Sequence, residues 1–190
     1  MARRDPADIP GLLLLEPARH GDHRGFFSET YNRARLAAAG FDREFVQDNH
    51  AASAAAGTLR GLHFQRPPFA QAKLVRVVRG AILDVAVDIR AGSPTFGDHA
   101  AVALSAADWR QILVPAGFGH GYLTLEPDTE VIYKVDAYYS PAHDAGFAWD
   151  DPALGIDWGI DPAAAVLSQK DRALPPLAEV ATPFVWEGAA

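Results

Sequence analysis

The 190-residue sequence contains no cysteine and is poor in basic residues. Without thiols the chain forms no disulfide, zinc–thiolate site or iron–sulfur cluster, and it offers no cysteine nucleophile. Because 17 Lys and Arg stand against 24 Asp and Glu, the net charge is −7. Nucleic acids and anionic membranes bind basic surfaces, so we expect neither as a partner. An anionic small molecule still fits a local basic cluster, since salt screens charges beyond about 8 Å.

Long apolar runs are also missing. The N-terminal run Leu12–Leu15 is far too short for a membrane span or for the core of a signal peptide. We therefore predict a cytoplasmic protein. Hydrophobic residues make up 49% of the chain and charged residues 22%, which is typical of a globular domain with a sizeable core.

Short runs rich in Val, Ile and Tyr dominate the middle of the chain, and Gly or Pro separates most of them. Strands spaced about 8–12 residues apart are typical of a sandwich or barrel. The helices that parallel strands need between them are missing, so a doubly wound fold is not expected. The runs are KLVRVV (73–78), AILDVAVDIR (81–90), HAAVALS (99–105), RQILVPAG (110–117), HGYLTL (120–125) and EVIYKVDAYY (130–139).

Outside this section the pattern is less regular. One short helix is predicted at RARLAAA (33–39), with Asn32 as its N-cap and Gly40 at its end. The small-residue stretch AASAAAG (51–57) predicts a loop. The tail from residue 141 is rich in Pro, Asp and Ala, which predicts loops and short helical turns.

Titratable side chains interrupt the apolar strands. In GTLRGLHFQ (57–65), strict alternation puts Arg60 and His63 on opposite faces, so a bulge or twist at Gly61 is predicted if both reach one cavity. Lys73 lies on the same strand face as Val75 and Val77, and Tyr133 lies on the same face as Val131 and Val135, so both are predicted to point inward. Each of these residues could also have a purely structural role: His63 as a hydrogen-bonded strand residue, Tyr133 as a core aromatic and Lys73 as a lysine that extends its ammonium to solvent. Together they favour a polar cavity, because buried cations without partners are costly.

A metal site is the other chemistry that small β-barrels commonly support. It uses a His-x-His pair on a strand with further ligands downstream. Here His63 is followed by Phe-Gln and His120 by Gly-Tyr, and the one close pair, His20 and His23, falls in a predicted turn. We therefore predict no bound metal, so that the acid and the base are protein side chains.

Eight stretches of the sequence carry a family resemblance. They are GDHRGFFSETYN, FVQDNH, LRGLHFQ, AQAKLVRVVRGAILDVAVDIR, SPTFG, VPAGFGHGYLTL, VIYKVDAYYSP and LSQKD. In this order, from about residue 8 to about residue 180, they resemble the dTDP-4-dehydrorhamnose 3,5-epimerases. The resemblance implies an all-β, cupin-like jelly roll (a β-sandwich or barrel) with a few short helices, forming one domain over residues 1–190. It also implies a homodimer with exchanged N-terminal strands and an enzyme without cofactor or metal.

The resemblance further implies an activity. The family inverts C3 and C5 of dTDP-4-dehydro-6-deoxy-D-glucose to give dTDP-4-dehydro-L-rhamnose, in dTDP-L-rhamnose biosynthesis. At the matching positions His63 is the implied base and Asp171 its carboxylate partner. Tyr133 is the implied general acid, and Lys73 lies near the sugar carbonyl.

Nine further positions match substrate contacts of the family. Arg60 resembles an arginine that contacts the diphosphate, a role suited to a planar guanidinium. Tyr139 resembles an aromatic that stacks on thymine, and Gln65 is expected to support the site by hydrogen bonding. The other matching contacts are Arg24, Glu29, Gln47, Asn49, His120, Asp144 and Lys170.

Four other functions remain open from the sequence. Relatives with the same acid and base act on C3 or C5 alone, and the sequence around Tyr133 does not separate them. A related sugar ketoisomerase usually replaces the tyrosine region, so Tyr133 counts against it. A non-catalytic sugar-binding jelly roll has no need of His63, Asp171 and Tyr133, and a metal-dependent cupin oxygenase needs the missing ligands. The loop around Gly159 departs from the family pattern.

Overall fold

Thirteen strands make up most of the ordered secondary structure in the computed structural model, which describes residues 1–188. The last two residues of the predicted 1–190 domain lie outside this range. The strands are β1 (Arg3–Arg4), β2 (Leu13–Leu15), β3 (His20–Asp22), β4 (Gly25–Phe27), β5 (Gln47–Ser53), β6 (Leu59–Gln65), β7 (Lys73–Arg79), β8 (Ala81–Asp88), β9 (His99–Ser105), β10 (Gln111–Val114), β11 (Phe118–Thr124), β12 (Thr129–Val135) and β13 (Asp144–Gly146).

The strands form two large sheets that pack face to face. One has the order β1-β9-β8-β11-β6-β13 and the other β2-β10-β7-β12-β5. Alternate residues of each strand meet in a shared core, in which Val75 and Val131 of the second sheet pack with Ala86 and Leu104 of the first. The predicted β-sandwich is therefore confirmed.

The outer face of the six-stranded sheet is buried as well. Val85 and Val87 of β8 pack there against Phe147, Trp149 and Trp158 of the tail. Burial on both faces explains why β8 is a nearly continuous apolar run. The tail is built from loops, β13, 3-10 turns at Pro162–Ala164 and Leu177–Glu179, and a short helix α2 at Gln169–Arg172, largely as predicted.

The predicted N-terminal helix is present as α1, at Arg33–Ala38. Asn32 accepts the backbone N–H of Arg35 at 3.3 Å, as an N-cap should. Leu36 packs with Leu74 on the outer face of the five-stranded sheet, and burying such a side chain contributes about 1.5–3 kcal/mol. Among residues 1–188, no helix has the length and apolarity needed to cross a membrane.

Two local predictions are wrong. The stretch 51–57 is not all loop, because β5 continues to Ser53 and its backbone pairs with β12 along its whole length. Tyr139 is not in a strand, because β12 ends at Val135. Just beyond that end, the Asp136 carboxylate accepts the backbone N–H of Ala72 at 2.6 Å. A side chain, rather than a backbone carbonyl, is thus the acceptor where the strand pairing stops. Backbone pairing and a side-chain bond, rather than residue type, set these two boundaries.

The irregularity predicted at Gly61 is confirmed. His63 lies opposite His120 on β11, but Arg60 lies opposite Tyr122, so three steps on β6 match two on β11. This extra residue turns Arg60 and His63 to the same side. Gly61 has a φ of 140°, and a Cβ there would lie 2.5 Å from the Cα of Gly121. No other residue fits at Gly61 without moving β11.

A two-stranded hairpin of β3 and β4 lies apart from both large sheets. Phe26 and Phe27 on it are 56% and 72% exposed. Its base is held by Trp109, whose ring packs edge-on against Phe26 with 4.8 Å between centroids and whose indole N–H donates to Ser28 Oγ at 2.9 Å. The hairpin is thus attached to the body through Phe26 and Ser28, and it still exposes aromatic surface to solvent.

Candidate active site

Two adjoining pockets lie between the large sheets, with volumes of about 340 and 280 Å³. We name them the Tyr139 lobe and the His120 lobe. Together they suit a ligand of drug size or larger. Both lobes are lined by His63, Lys73, Tyr133 and Lys170. The Tyr139 lobe adds Gln47, Asn49, Gln65, Tyr139 and Asp144, and the His120 lobe adds Arg60, His120, Tyr122, Ser168 and Asp171.

An imidazole–carboxylate pair forms one wall. His63 Nε2 lies 2.6 Å from Asp171 Oδ1, and the His63 side chain is 27% exposed whereas that of Asp171 is 6% exposed. Helix α2 presents the carboxylate, and Ser168 caps it by accepting the Asp171 N–H at 3.0 Å. Burial acts to raise the pKa of Asp171, but its hydrogen bonds and the charges of His63 and Lys170 hold it below its usual value. An ionised Asp171 orients the imidazole and stabilises its protonated form.

A second pair of this kind stands beside the first. His120 Nε2 lies 2.8 Å from Asp84 Oδ2, and Asp84 is completely buried. Burial lowers the pKa of His120, and the negative charge of the neighbouring Asp84 offsets only part of this shift. Asp84 was missed from the sequence, although a carboxylate inside the apolar run of β8 was a usable signal. Tyr122 was also missed, and burial raises its pKa to about 12.

Lys73 faces these pairs from the other sheet. It begins β7, as the predicted inward side chain, and lines both lobes. Burial lowers its pKa to about 8, although the charges of Asp84 and Asp144 oppose this shift. Among residues 1–188, no side-chain carboxylate lies within 4 Å of its ammonium, since Asp84 pairs with His120 and Asp144 with Lys170. It is therefore a cation available to a ligand near neutral pH.

Tyr133 lies next to Lys73 on the same wall, since β12 and β7 are neighbours and Val135 is opposite Lys73. It points inward as predicted and lines both lobes. Burial raises the pKa of Tyr133, while the positive charge of Arg60 acts in the opposite direction. The phenol therefore keeps its proton at neutral pH and is suited to act as an acid.

The predicted binding residues of the Tyr139 lobe form a connected set. Gln47 Nε2 donates to Asn49 Oδ1 at 2.8 Å, and its oxygen accepts the Tyr139 N–H at 3.0 Å. The Tyr139 hydroxyl donates to Asp144 Oδ2 at 3.0 Å, and Lys170 forms an ion pair with the same carboxylate. The Tyr139 ring is left 55% exposed, as a flat surface at the mouth of the lobe.

Arg60 reaches the His120 lobe from β6 and bridges the two sheets. Its Nη2 donates to the Ala52 carbonyl of β5 at 3.2 Å. Its guanidinium is exposed, so donors remain for an anionic ligand. Arg60 and Lys170 supply the local basic cluster that an anion requires in a chain of net negative charge.

Two predicted residues are not at this cavity. Arg24 lies at the turn of the hairpin, where it is 78% exposed and pairs with Asp22 at 2.5 Å. Glu29 lies in a separate groove and faces Arg35 at 3.4 Å. The structure therefore does not bring either residue to the cavity of its own chain.

The residues present suit proton transfer to and from carbon. Among residues 1–188, no cluster of three His, Asp or Glu side chains is arranged to hold a metal ion. The wall from the six-stranded sheet carries a base with its carboxylate, and the wall from the five-stranded sheet carries a protonated phenol and an ammonium. A carbon acid held between them meets a base on one face and an acid on the other.

Comparison with known proteins identifies the family. A model described as dTDP-4-dehydrorhamnose 3,5-epimerase matches residues 6–179. The enzyme of that name from Sinorhizobium fredii is 50% identical over 178 residues, which is 94% of this chain and 91% of that protein. A structure of such an enzyme from Bacillus anthracis, with TDP and PPi bound, is 52% identical with a TM-score of 0.87, over 90% of this chain and 96% of that one.

A second structure is equally similar in fold. The dTDP-6-deoxy-D-glucose-3,5-epimerase of Legionella pneumophila, in complex with dTDP-4-keto-L-rhamnose, is 40% identical with a TM-score of 0.90, over 95% of this chain and 96% of that one. The predicted cupin-like jelly roll is confirmed by this overlap. The predicted family is confirmed as well, and the chain belongs to the dTDP-4-dehydrorhamnose 3,5-epimerases.

Proposed function

We propose that this chain, as one domain, inverts C3 and C5 of dTDP-4-dehydro-6-deoxy-D-glucose and forms dTDP-4-dehydro-L-rhamnose. One observation carries the proposal: the His63–Asp171 pair and the Tyr133 hydroxyl line one cavity from opposite sheets. Inversion at carbon needs removal of a proton from one face and return of a proton to the other. The cytoplasmic location predicted from the sequence belongs to the same proposal.

His63 removes the proton. The C4 ketone acidifies the C–H bonds at C3 and C5, because the electron pair left on carbon moves into the C4 oxygen and forms an enolate. His63 becomes an imidazolium, which the adjacent Asp171 carboxylate stabilises. Lys73 places its ammonium near the enolate oxygen and lowers the energy of that charge.

Tyr133 returns a proton to the opposite face of the carbon. The enolate electrons re-form the C4 carbonyl as carbon takes the phenol proton, which leaves a phenolate on Tyr133 and a proton on His63. Exchange with solvent restores both groups. Because C3 and C5 both flank C4, the same pair serves both carbons.

The two lobes bind different parts of the substrate. The sugar lies in the His120 lobe beside His63, and the thymine stacks on the exposed ring of Tyr139. Lys170, which lines both lobes, and Arg60 meet the diphosphate. Gln47 and Asn49 lie at the nucleotide end.

We further propose a homodimer with exchanged N-terminal segments. The support is the hairpin, which carries Arg24 away from the cavity of its own chain and exposes Phe26 and Phe27. Exposed aromatic surface of this kind marks a protein contact. In such a dimer the hairpin brings Arg24 to the cavity of the partner.

Incubation with the 4-keto sugar nucleotide in D₂O tests the function. NMR of the product is expected to show deuterium at both C3 and C5, with the L-rhamno configuration at both carbons. Label at one carbon alone would replace this proposal with a mono-epimerase. Absence of label and of conversion would leave a non-catalytic binding protein.

The pH dependence tests the role of Lys73. Because its pKa is about 8, its ammonium form is lost as the pH rises through that value. We expect kcat/KM to fall above pH 8, approaching about tenfold per pH unit. Lys73→Arg keeps its charge and should move this limb to higher pH, measured by initial rates between pH 6 and pH 10.

A matched control is available on β12. Lys134 pairs with Asp48 outside the cavity, so Lys134→Met should leave the alkaline limb in place. An unchanged limb in Lys73→Arg would show that another group titrates there.

A further inference from the structure

Gln65 ends the strand that carries His63, and its carboxamide is buried with 4% of the residue exposed. Its Nε2 donates to the carbonyl of Phe69 at 2.7 Å and to that of Tyr138 at 3.2 Å. Its Oε1 accepts the N–H of Ser140 at 2.6 Å. Both amide hydrogens and the amide oxygen are therefore engaged with backbone groups.

Two of these bonds are made to the residues that immediately precede and follow Tyr139 in the chain. Gln65 holds the carbonyl of Tyr138 and the N–H of Ser140, and Gln47 accepts the N–H of Tyr139 itself at 3.0 Å. Three consecutive residues of a loop are thus fixed by two glutamine side chains. The ring itself adds a hydrogen bond from its hydroxyl to Asp144, and further bonds to the loop lie at the carbonyls of Ala137 and Ser140.

Gln65 also links this loop to the proposed base. It lies two residues after His63 on β6, and both residues pair with β13, Gln65 with Asp144 and His63 with Gly146. Pairing with β13 at each of these residues, and with β11 at His63, restrains this short segment of β6. The position of the Tyr139 ring relative to His63 is therefore set through Gln65.

We propose that Gln65 is a positioning residue that holds Tyr139 as the platform for the nucleotide at a fixed distance from His63. This inference rests on the proposed function. Gln65 acts through Tyr139, so its loss weakens binding of the nucleotide in ground state and transition state alike. Such a loss raises KM and leaves kcat nearly unchanged.

The test is a double-mutant cycle with Gln65→Leu and Tyr139→Ala, read by calorimetric binding of dTDP and by steady-state kinetics. Gln65→Leu leaves two carbonyls and one N–H without partners, so we expect the Kd for dTDP and KM to rise about tenfold. The change in kcat should stay within about threefold. In the Tyr139→Ala background, Gln65→Leu should change the Kd by less than about twofold.

Two further variants serve as controls, one for the loss of any buried glutamine and one for the case in which Gln65→Leu does not fold. Gln111→Leu removes another buried glutamine that donates to a backbone carbonyl, that of Thr30 at 3.0 Å, away from the cavity, and should leave dTDP binding unchanged. Gln65→Glu keeps the size and the acceptor but turns a carboxylate toward two carbonyls. It should reproduce the rise in KM even if Gln65→Leu does not fold.

The outcomes separate the two proposals. Equal effects of Gln65→Leu with and without the Tyr139 ring, or a fall in kcat at constant KM, would overturn the positioning role. Unchanged dTDP affinity in both Gln65 variants would do the same. Failure of the unaltered protein to bind dTDP would instead overturn the proposed function.

Discussion

Replacing His63 with alanine is expected to lower kcat by about 10²–10⁴-fold and to abolish deuterium exchange at both C3 and C5. The similar pair of His120 with Asp84 on the same wall is not expected to replace it, because His120 is more deeply buried and that burial lowers its pKa. Loss of the imidazole also leaves Asp171 without its partner. The measurement is NMR of the substrate and product in D₂O, with the melting temperature as a check on folding.

His50 provides the matched control. Its ring lies 2.9 Å from Glu130, so it is also paired with a carboxylate, but it lies outside the cavity with 54% of its side chain exposed. His50→Ala should retain full exchange. Exchange at either carbon in His63→Ala would show that a different base acts there.

Replacing Tyr133 with phenylalanine is expected to separate exchange from inversion. His63 still removes the proton, so deuterium should enter recovered substrate with its original configuration. Return of a proton from the opposite face has lost its donor, so formation of the inverted product should slow by about 10²-fold or more. Comparing the label in recovered substrate with that in product measures both rates at once.

Tyr31 is a suitable control because its ring packs on Phe45, away from both lobes. Tyr31→Phe should invert at the normal rate. Full inversion by Tyr133→Phe would remove the phenol from the mechanism, and loss of both exchange and inversion would assign it a role in forming the enolate.

Local rules predicted the parts of this structure that depend on neighbouring residues. The two-residue period of a strand was enough to turn Lys73 and Tyr133 inward. The need for Arg60 and His63 to share a cavity was enough to predict an irregularity at Gly61. The N-cap at Asn32 likewise follows from residue type and position alone.

Contacts between distant segments gave no such signal. Asp171 is 108 residues from His63, and only the family resemblance connected the two. Asp84 was overlooked because its partner, His120, is on another strand. Tyr139 was predicted within a strand, since alternation cannot show where a side chain such as Asp136 ends a ladder. Arg24 remains unassigned within one chain, because its proposed site requires a second molecule.

The facing pair Gly61 and Gly121 has a consequence for how this pocket can diversify. Cβ atoms are excluded at both positions by main-chain atoms of the opposite strand, at 2.5 Å from one side and 2.7 Å from the other. The separation of the Cα atoms of Arg60 and His63 is thus dictated by the close approach of the two backbones. Descendants of this protein can acquire new sugar preferences by exchanging surrounding side chains, but the spacing of these two main-chain positions stays inherited.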